Sequence, residues 1–295
     1  MTIPLLSSYP LPGPGEFPRN NVDWTFTPER AVLLVHDMQE YFVHFYGEGS
    51  ALIGEIVDNI GRLRAACKAR GVPVVYTAQP NHQSADDRGL LNDMWGPGLN
   101  RHPDQQAVVA ALAPAPDDTV LVKWRYSAFQ RSPLEAMMRE WGRDQLAICG
   151  IYGHIGCLTT ALDAFMRDIK PFMVGDAIGD FSREDHLMTL RHVAGRCGRV
   201  VATADLSPTD LAPTDLDRNG LRARLLAALE LSDDQFDPDE NLIDYGLDSV
   251  TVMALVAEWR RSGIEIDFAD LARRPSLNGW WSLIEERRPA AGGRG

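Results

Sequence analysis

Only four cysteines (Cys67, Cys149, Cys157 and Cys197) occur in 295 residues, and none is in CxxC spacing. That excludes the dense disulfide scaffold of a small secreted domain and points to a reduced, cytoplasmic protein. No apolar run approaches the roughly 18 residues of a membrane span. The N-terminal MTIPLLSSYPLPGPGEFP lacks a basic start and prolines break its apolar stretch, so it does not read as a signal peptide. A basic footprint is missing too, and the net charge of −12 argues against nucleic acid as a partner. No two histidines are spaced with an acid as metal ligands, so no metal is expected. What is present is globular composition, 45% hydrophobic and 24% charged, in a length that fits two domains.

The charge is unevenly spread. Residues 207–285 hold 16 Asp and Glu against 7 Arg and no Lys, a net charge of −9. The Pro-bearing stretch ATADLSPTDLAPTDLDRNG (202–220) lies where the balance changes, and the final ten residues are basic and Gly-rich. The expected division is a body over 1–206, a linker over 207–216, an acidic module over 217–288 and a disordered tail over 289–295.

In the body, AVLLVHD (31–37), VPVVYT (72–77), TVLV (119–122), QLAIC (145–149), PFMVG (171–175) and RVVA (199–202) are short apolar runs without alternation. Both faces of such strands should be buried, as in a parallel sheet covered by helices. Between them Ile53, Ile56, Val57, Ile60, Leu63 and Cys67 recur at helical spacing, and Gly71 supplies a stop. Ser132-Pro133 and Ser182 with Asp185 open two more helices. The alternation predicts an α/β fold with a doubly wound parallel sheet.

Ligands of such sheets sit beyond the carboxyl ends of the strands. The residues there are His36-Asp37, Gln79, Lys123 and the turn GIYGHIG (150–156). An acid, a base and a Gly-rich turn thus converge on one rim, although each charge is equally explained as a strand-end ion pair. The turn has GxxGxxG rather than dinucleotide-binding GxGxxG spacing. Its glycines would let the backbone approach a ligand, and the following helix would aim N–H groups at an anion. His36 and His154 are more often satisfied structural histidines than acid–base groups.

The acidic module shows three apolar helical faces: Leu221, Leu225 and Leu229; Val252, Leu255, Val256 and Trp259; and Leu277, Trp280, Trp281 and Ile284. With a short turn near Asp267–Leu271 they predict a small helical bundle. Ser249 falls at the start of the second helix, where an N-cap is the plain reading. Met253, Ala254 and Phe268 suit either an apolar docking patch or the core.

HDMQEYFVHFYGE (36–48), VVYTAQP (74–80), LLNDMWGPGL (90–99), DTVLVKWRYSAFQRSPLE (118–135), GIYGHIGCLTTALDAFMRDIKPFMVGDA (150–177) and NLIDYGLDSV (241–250) stand in one order along the chain. Together they resemble the bifunctional isochorismatase–aryl carrier proteins of catechol siderophore biosynthesis. The resemblance implies an isochorismatase-like body followed by an all-α, four-helix carrier bundle. It implies hydrolysis of isochorismate to 2,3-dihydro-2,3-dihydroxybenzoate and pyruvate, with Asp37 and Lys123 catalytic. Gln79, Arg88, Trp95, Tyr152, Gly153, Gly156 and Phe42 would form the substrate pocket, with the N–H groups of 153–156 as donors. Asp37 would be a general acid of raised pKa. Ser249 would carry 4'-phosphopantetheine, and with it an aryl thioester. The implied partners are a phosphopantetheinyl transferase, an aryl-acid adenylating enzyme and a nonribosomal peptide synthetase, with a homodimer formed through the body. Related cysteine hydrolases carry their nucleophile at the position that aligns with Gly156, and Cys157 lies one residue beyond it. A carrier or docking protein with an inactive body, and an amidase using Cys157, are the alternative readings.

Overall fold

The computed structural model describes residues 3–207, 218–229, 231, 235–247, 251–253, 255–256, 259 and 264–287. The chain divides into two compact units, Met1–Pro208 and Thr209–Gly295. The first contains strands β1 (Ala31–His36), β2 (Val74–Ala78), β3 (Thr119–Val122), β4 (Gln145–Ile151), β5 (Lys170–Gly179) and β6 (Arg199–Val201). They form one sheet in the order β3-β2-β1-β4-β5-β6, and every pairing is parallel.

The unalternating apolar runs have the cause expected of them. In β1, Leu33 and Val35 enter one core with Ile56, Ile60 and Leu63, while Val32 and Leu34 enter the opposite core with Leu134 and Met138. The first core is closed by the helix Ala51–Ala69, which Ser50 caps by accepting a hydrogen bond from the Ile53 N–H. The second is closed by Leu134–Glu140 and Leu158–Phe165, with Arg183–His192 beside them. Ser182 caps the last of these by accepting from the Asp185 N–H at 3.1 Å.

The sheet winds outward in both directions from the β1–β4 pair, so the crevice for a ligand opens between their carboxyl ends. There β4 presses against β1. Gly150 has φ +106°, and a Cβ on it would lie 2.2 Å from the His36 carbonyl oxygen. The β4–β5 register slips between Ile148 and Gly150, and β5 extends past the expected 171–175 to Gly179. The slip carries the chain on to Asp180 and Phe181 at the rim.

In the second unit Leu221, Leu225, Leu242, Val252, Trp259, Leu277, Trp280 and Ile284 share one core. Its helical parts are Arg218–Ala228, the described residues among 251–259, Phe268–Arg273 and Leu277–Arg287. The turn expected near Asp267 is instead a short helix, capped by Asp267 accepting from the Asp270 N–H at 2.8 Å. Leu283 is buried where Trp281 was expected, and Trp281 is half-buried. Residues 208–216 of the expected linker, residue 217, Ser249, Ala254 and the tail 289–295 lie outside the described residues. Among the described residues no helix is long and apolar enough to cross a membrane.

Candidate active site

Asp37 sits one residue past β1 with φ +49°, a left-handed turn that tips its side chain over the strand ends. The Thr77 hydroxyl at the end of β2 donates to its Oδ1 at 2.7 Å, and Lys123, just past β3, donates to its Oδ2 at 2.6 Å. Both members of the ion pair are buried, Asp37 at 6% and Lys123 at 4% exposure. Burial alone would raise the Asp37 pKa. The charge of Lys123, the neighbouring His36 and the two hydrogen bonds outweigh it and hold the carboxyl below its usual range. The expected raised pKa is therefore corrected: in the free protein Asp37 is the anionic half of a pair.

These two residues floor a pocket that encloses about 570 Å³ of empty volume, open solvent at its mouth included. Its wall includes Phe42, Gln79, Arg88, Trp95, Tyr152 and Gly156, all read from the sequence. Gln79 is held by Gln39, whose side chain donates to the Gln79 carbonyl and accepts from its N–H. Arg88 is buried, and its hydrogen bonds go to neutral oxygens, the Gly96 carbonyl at 2.6 Å and Gln83 Oε1 at 3.1 Å. Its charge thus faces the pocket without a carboxylate among these partners. The aromatic wall is one packed set: Tyr152 against Phe181 at 4.8 Å, Phe181 against Trp95 at 6.1 Å, and Tyr152 against Phe42 at 6.1 Å between ring centres.

Two expectations fail in the turn after β4. Gly153 does not line the pocket; it packs on Asp180, whose Oδ2 would lie 2.5 Å from a Cβ there. Three of the four N–H groups expected as donors, those of 154–156, are also committed elsewhere. That of His154 donates to Asp180 Oδ2, and those of Ile155, Gly156 and Cys157 turn back to the Tyr152 carbonyl. A π-type turn over Gly153–Cys157 consumes these donors before the helix proper begins at Leu158. Arg88 and Lys123 are the cations in the pocket lining.

Tyr41, Tyr126 and Phe181 line the pocket as well and were missed. Tyr126 accepts a hydrogen bond from Trp95 Nε1 at 2.7 Å. Tyr126 stands four residues past β3 and Phe181 two past β5, so the strand-end rule already applied to Lys123 reaches both. His154 pairs with the buried Asp180 carboxylate: burial opposes its charge, but Asp180 prevails and raises its pKa. His36 is wholly buried outside the pocket wall, and burial with the charge of Lys123 pushes its pKa down to about 4. Among the described residues no group of three or more His, Cys, Asp or Glu is placed to hold a metal ion.

The isochorismatase domain family matches residues 31–205, which is most of the first unit. The chain belongs to the isochorismatase family. The phosphopantetheine attachment site family matches residues 219–283, so the prosthetic group proper to the second unit is covalent phosphopantetheine. Over 96% of its length the chain is 58% identical to enterobactin synthase component B of Escherichia coli K12, covering 98% of that protein. It is 46% identical to an isochorismatase of Bacillus subtilis, over 97% of this chain and 96% of the other. A solved cysteine hydrolase from Pseudomonas syringae pv. phaseolicola superposes with a TM-score of 0.58 at 27% identity, over 68% of this chain and 97% of that one.

The residues around position 249 suit such a group. Leu247 and Val252, before and after it in the chain, are buried in the core, and the backbone has φ +96° at Gly246. The nearby apolar side chains of Ile243, Met253 and Phe268 are exposed, so Met253 and Phe268 are not core.

In this family member Cys157 does not take the part of a cysteine hydrolase's nucleophile. It does not line the pocket, it is wholly buried, and burial pushes its thiol well above the usual range. Iodoacetamide is therefore expected to leave the enzymatic rate within about twofold of the untreated protein, because the other cysteines are buried as well. Inactivation in step with labelling of Cys157 would restore the amidase reading.

Proposed function

We propose that the body hydrolyses the vinyl ether of isochorismate, with Asp37 as general acid, and that the second unit carries an aryl group during nonribosomal siderophore synthesis. The observation that carries the first part is the buried Asp37–Lys123 pair on the floor of a pocket whose other cation, Arg88, is bonded only to neutral oxygens. The full-length likeness to enterobactin synthase component B supports both parts.

The bond to be broken is an ether, so no acyl intermediate is required. Protonation of the enolpyruvyl methylene carbon gives an oxocarbenium ion; water adds to it, and the hemiketal collapses to pyruvate and the dihydrodiol. The demanding step is proton delivery to carbon. Asp37 is anionic in the free protein, so it must gain a proton when substrate binds. The substrate's two carboxylates supply the cause. Set against Arg88 and Lys123, they draw on the field of Lys123 and bring negative charge towards Asp37, and both effects raise its pKa. Gln79 orients the polar edge of the substrate, while Trp95, Tyr152 and Phe42 enclose its ring and exclude bulk water.

The sign follows directly. The bound state holds more protons than the free one, so binding takes up protons and weakens as pH rises. Calorimetric titration with a non-hydrolysable isochorismate analogue should show uptake of about one proton per site near neutral pH. Asp37→Asn should abolish that uptake. Uptake that persists in the variant would move the acid to another residue.

Ser249 is the attachment point in this reading. Phosphopantetheine supplies a thiol on a flexible arm, on which the aryl group travels as a thioester. The chain's own part is to present that serine on a module that exposes Ile243, Met253 and Phe268 and whose residues 207–285 carry a net charge of −9. Such a surface steers towards basic partners: the phosphopantetheinyl transferase, the aryl-acid adenylating enzyme and the peptide synthetase. A homodimer through the body and a cytoplasmic setting belong to the same proposal, the latter supported by four free, buried cysteines.

A further inference from the structure

The imidazole of His36 lies directly beneath Gly156. A Cβ added at Gly156 would stand 2.1 Å from its Cε1, 2.8 Å from its Nε2 and 3.0 Å from its Nδ1. The ring has no room to give way. It is wholly buried, and both nitrogens are engaged, Nδ1 with the Ile151 carbonyl at 2.9 Å and Nε2 with Thr160 Oγ1 at 3.4 Å. A carbonyl only accepts, so Nδ1 donates to Ile151, while the Thr160 hydroxyl and the Tyr126 backbone also hold the ring. That hydroxyl is itself fixed by the Ala128 N–H at 3.0 Å. Nδ1 also lies 3.6 Å from Asp37 Oδ2, so the ring occupies the space adjoining the acid while remaining outside the pocket wall.

We infer that His36 is a specificity-determining residue: by filling the volume that a side chain at position 156 would take beside Asp37, it keeps that position glycine and denies the site a nucleophile. The inference rests on the pocket being the reaction site. A side chain growing from position 156 heads towards the space the ring now fills, next to a carboxylate able to serve as base. Position 156 itself lines the pocket, so a thiol there would have both a neighbouring base and access to substrate, as nucleophilic chemistry requires. With the imidazole in place, the Asp37–Lys123 pair faces only substrate and water, and proton transfer to carbon has no competing covalent route. The thiol of Cys157, the next residue along the chain, is sealed in the core.

The test compares Gly156→Cys with His36→Ala/Gly156→Cys in the full-length protein, using iodoacetamide as the probe. Alkylation joins sulfur to the acetamide carbon and expels iodide, and the thiol proton passes to base. Position 156 is expected to be labelled at least tenfold faster in the double variant, and adding Asp37→Asn should slow that labelling. A histidine of purely structural importance would not couple thiol reactivity to Asp37. Equal labelling with and without His36, or no dependence on Asp37, would overturn the inference.

A second pair guards against misfolding. Gly156→Ala should cost at least tenfold in kcat or fail to yield folded protein, and His36→Ala in that background should recover activity or folded yield. Losses that merely add would contradict it. Labelling is read without isochorismate, so an inactive wild type would sink the proposed function while the thiol comparison still decides this inference.

Discussion

Asp37→Asn is expected to lower kcat for isochorismate roughly 100- to 10,000-fold, about 3 to 5 kcal/mol of barrier, with little change in KM. The substitution is nearly isosteric. The amide retains an oxygen for the Thr77 hydroxyl or for Lys123, so the pocket should keep its shape and the fold its stability. What disappears is a group that can hold a proton and release it to carbon. Lys123 cannot replace it simply by position, because its ammonium is bonded to Asp37 itself. Its charge would stay beside the substrate carboxylates in the variant, which is why binding should survive. A variant that keeps more than about a tenth of the wild-type kcat would remove Asp37 from the proton-transfer role.

Ser249→Ala is expected to abolish loading entirely while leaving hydrolysis untouched. Incubated with coenzyme A and a phosphopantetheinyl transferase, the wild type should gain the mass of one phosphopantetheine and the variant none. Both should release pyruvate at the same rate, because the two units are separately compact, each with its own core. A variant still loaded would move the attachment to another residue. A loss of hydrolysis in parallel would mean that the units are coupled in a way their separate cores do not suggest.

Much of the fold was legible because its strands are buried on both faces, and burial leaves a mark in the chain: unbroken runs such as 31–37 and 145–149, divided by helical periodicity and caps. The rim residues were legible for a related reason, since strand ends are where a doubly wound sheet places its ligand. Asp37, Gln79 and Lys123 needed no more than that. Arg88 and Trp95 did not follow from any strand; they came through the resemblance, and their places depend on a loop whose path is fixed by contacts such as Arg88 to Gly96.

Where the reading failed, local spacing had been asked to stand for three-dimensional accounting. The GIYGHIG turn looks like a source of free N–H groups, but a π-type turn and the Asp180 carboxylate, brought in from β5 by a register slip, claim those of 154–156 first. The pKa of Asp37 depends on how close Lys123 approaches, a distance set by β1, β2 and β3 lying side by side. Nothing in the linear order of residues 37, 77 and 123 gives 2.6 Å. The His36–Gly156 contact is of the same kind, a steric fact joining two residues that are far apart in the chain.

Hydrolysis of isochorismate in heavy-oxygen water, with mass analysis of the dihydrodiol, tests the account's central claim most directly. Protonation of the methylene carbon sends water to the enolpyruvyl side, so pyruvate should be released rapidly and the dihydrodiol should carry no label. Label in a ring hydroxyl of the dihydrodiol would place the attack on the ring carbon and contradict acid catalysis at the vinyl ether. Absence of pyruvate would contradict the enzyme itself.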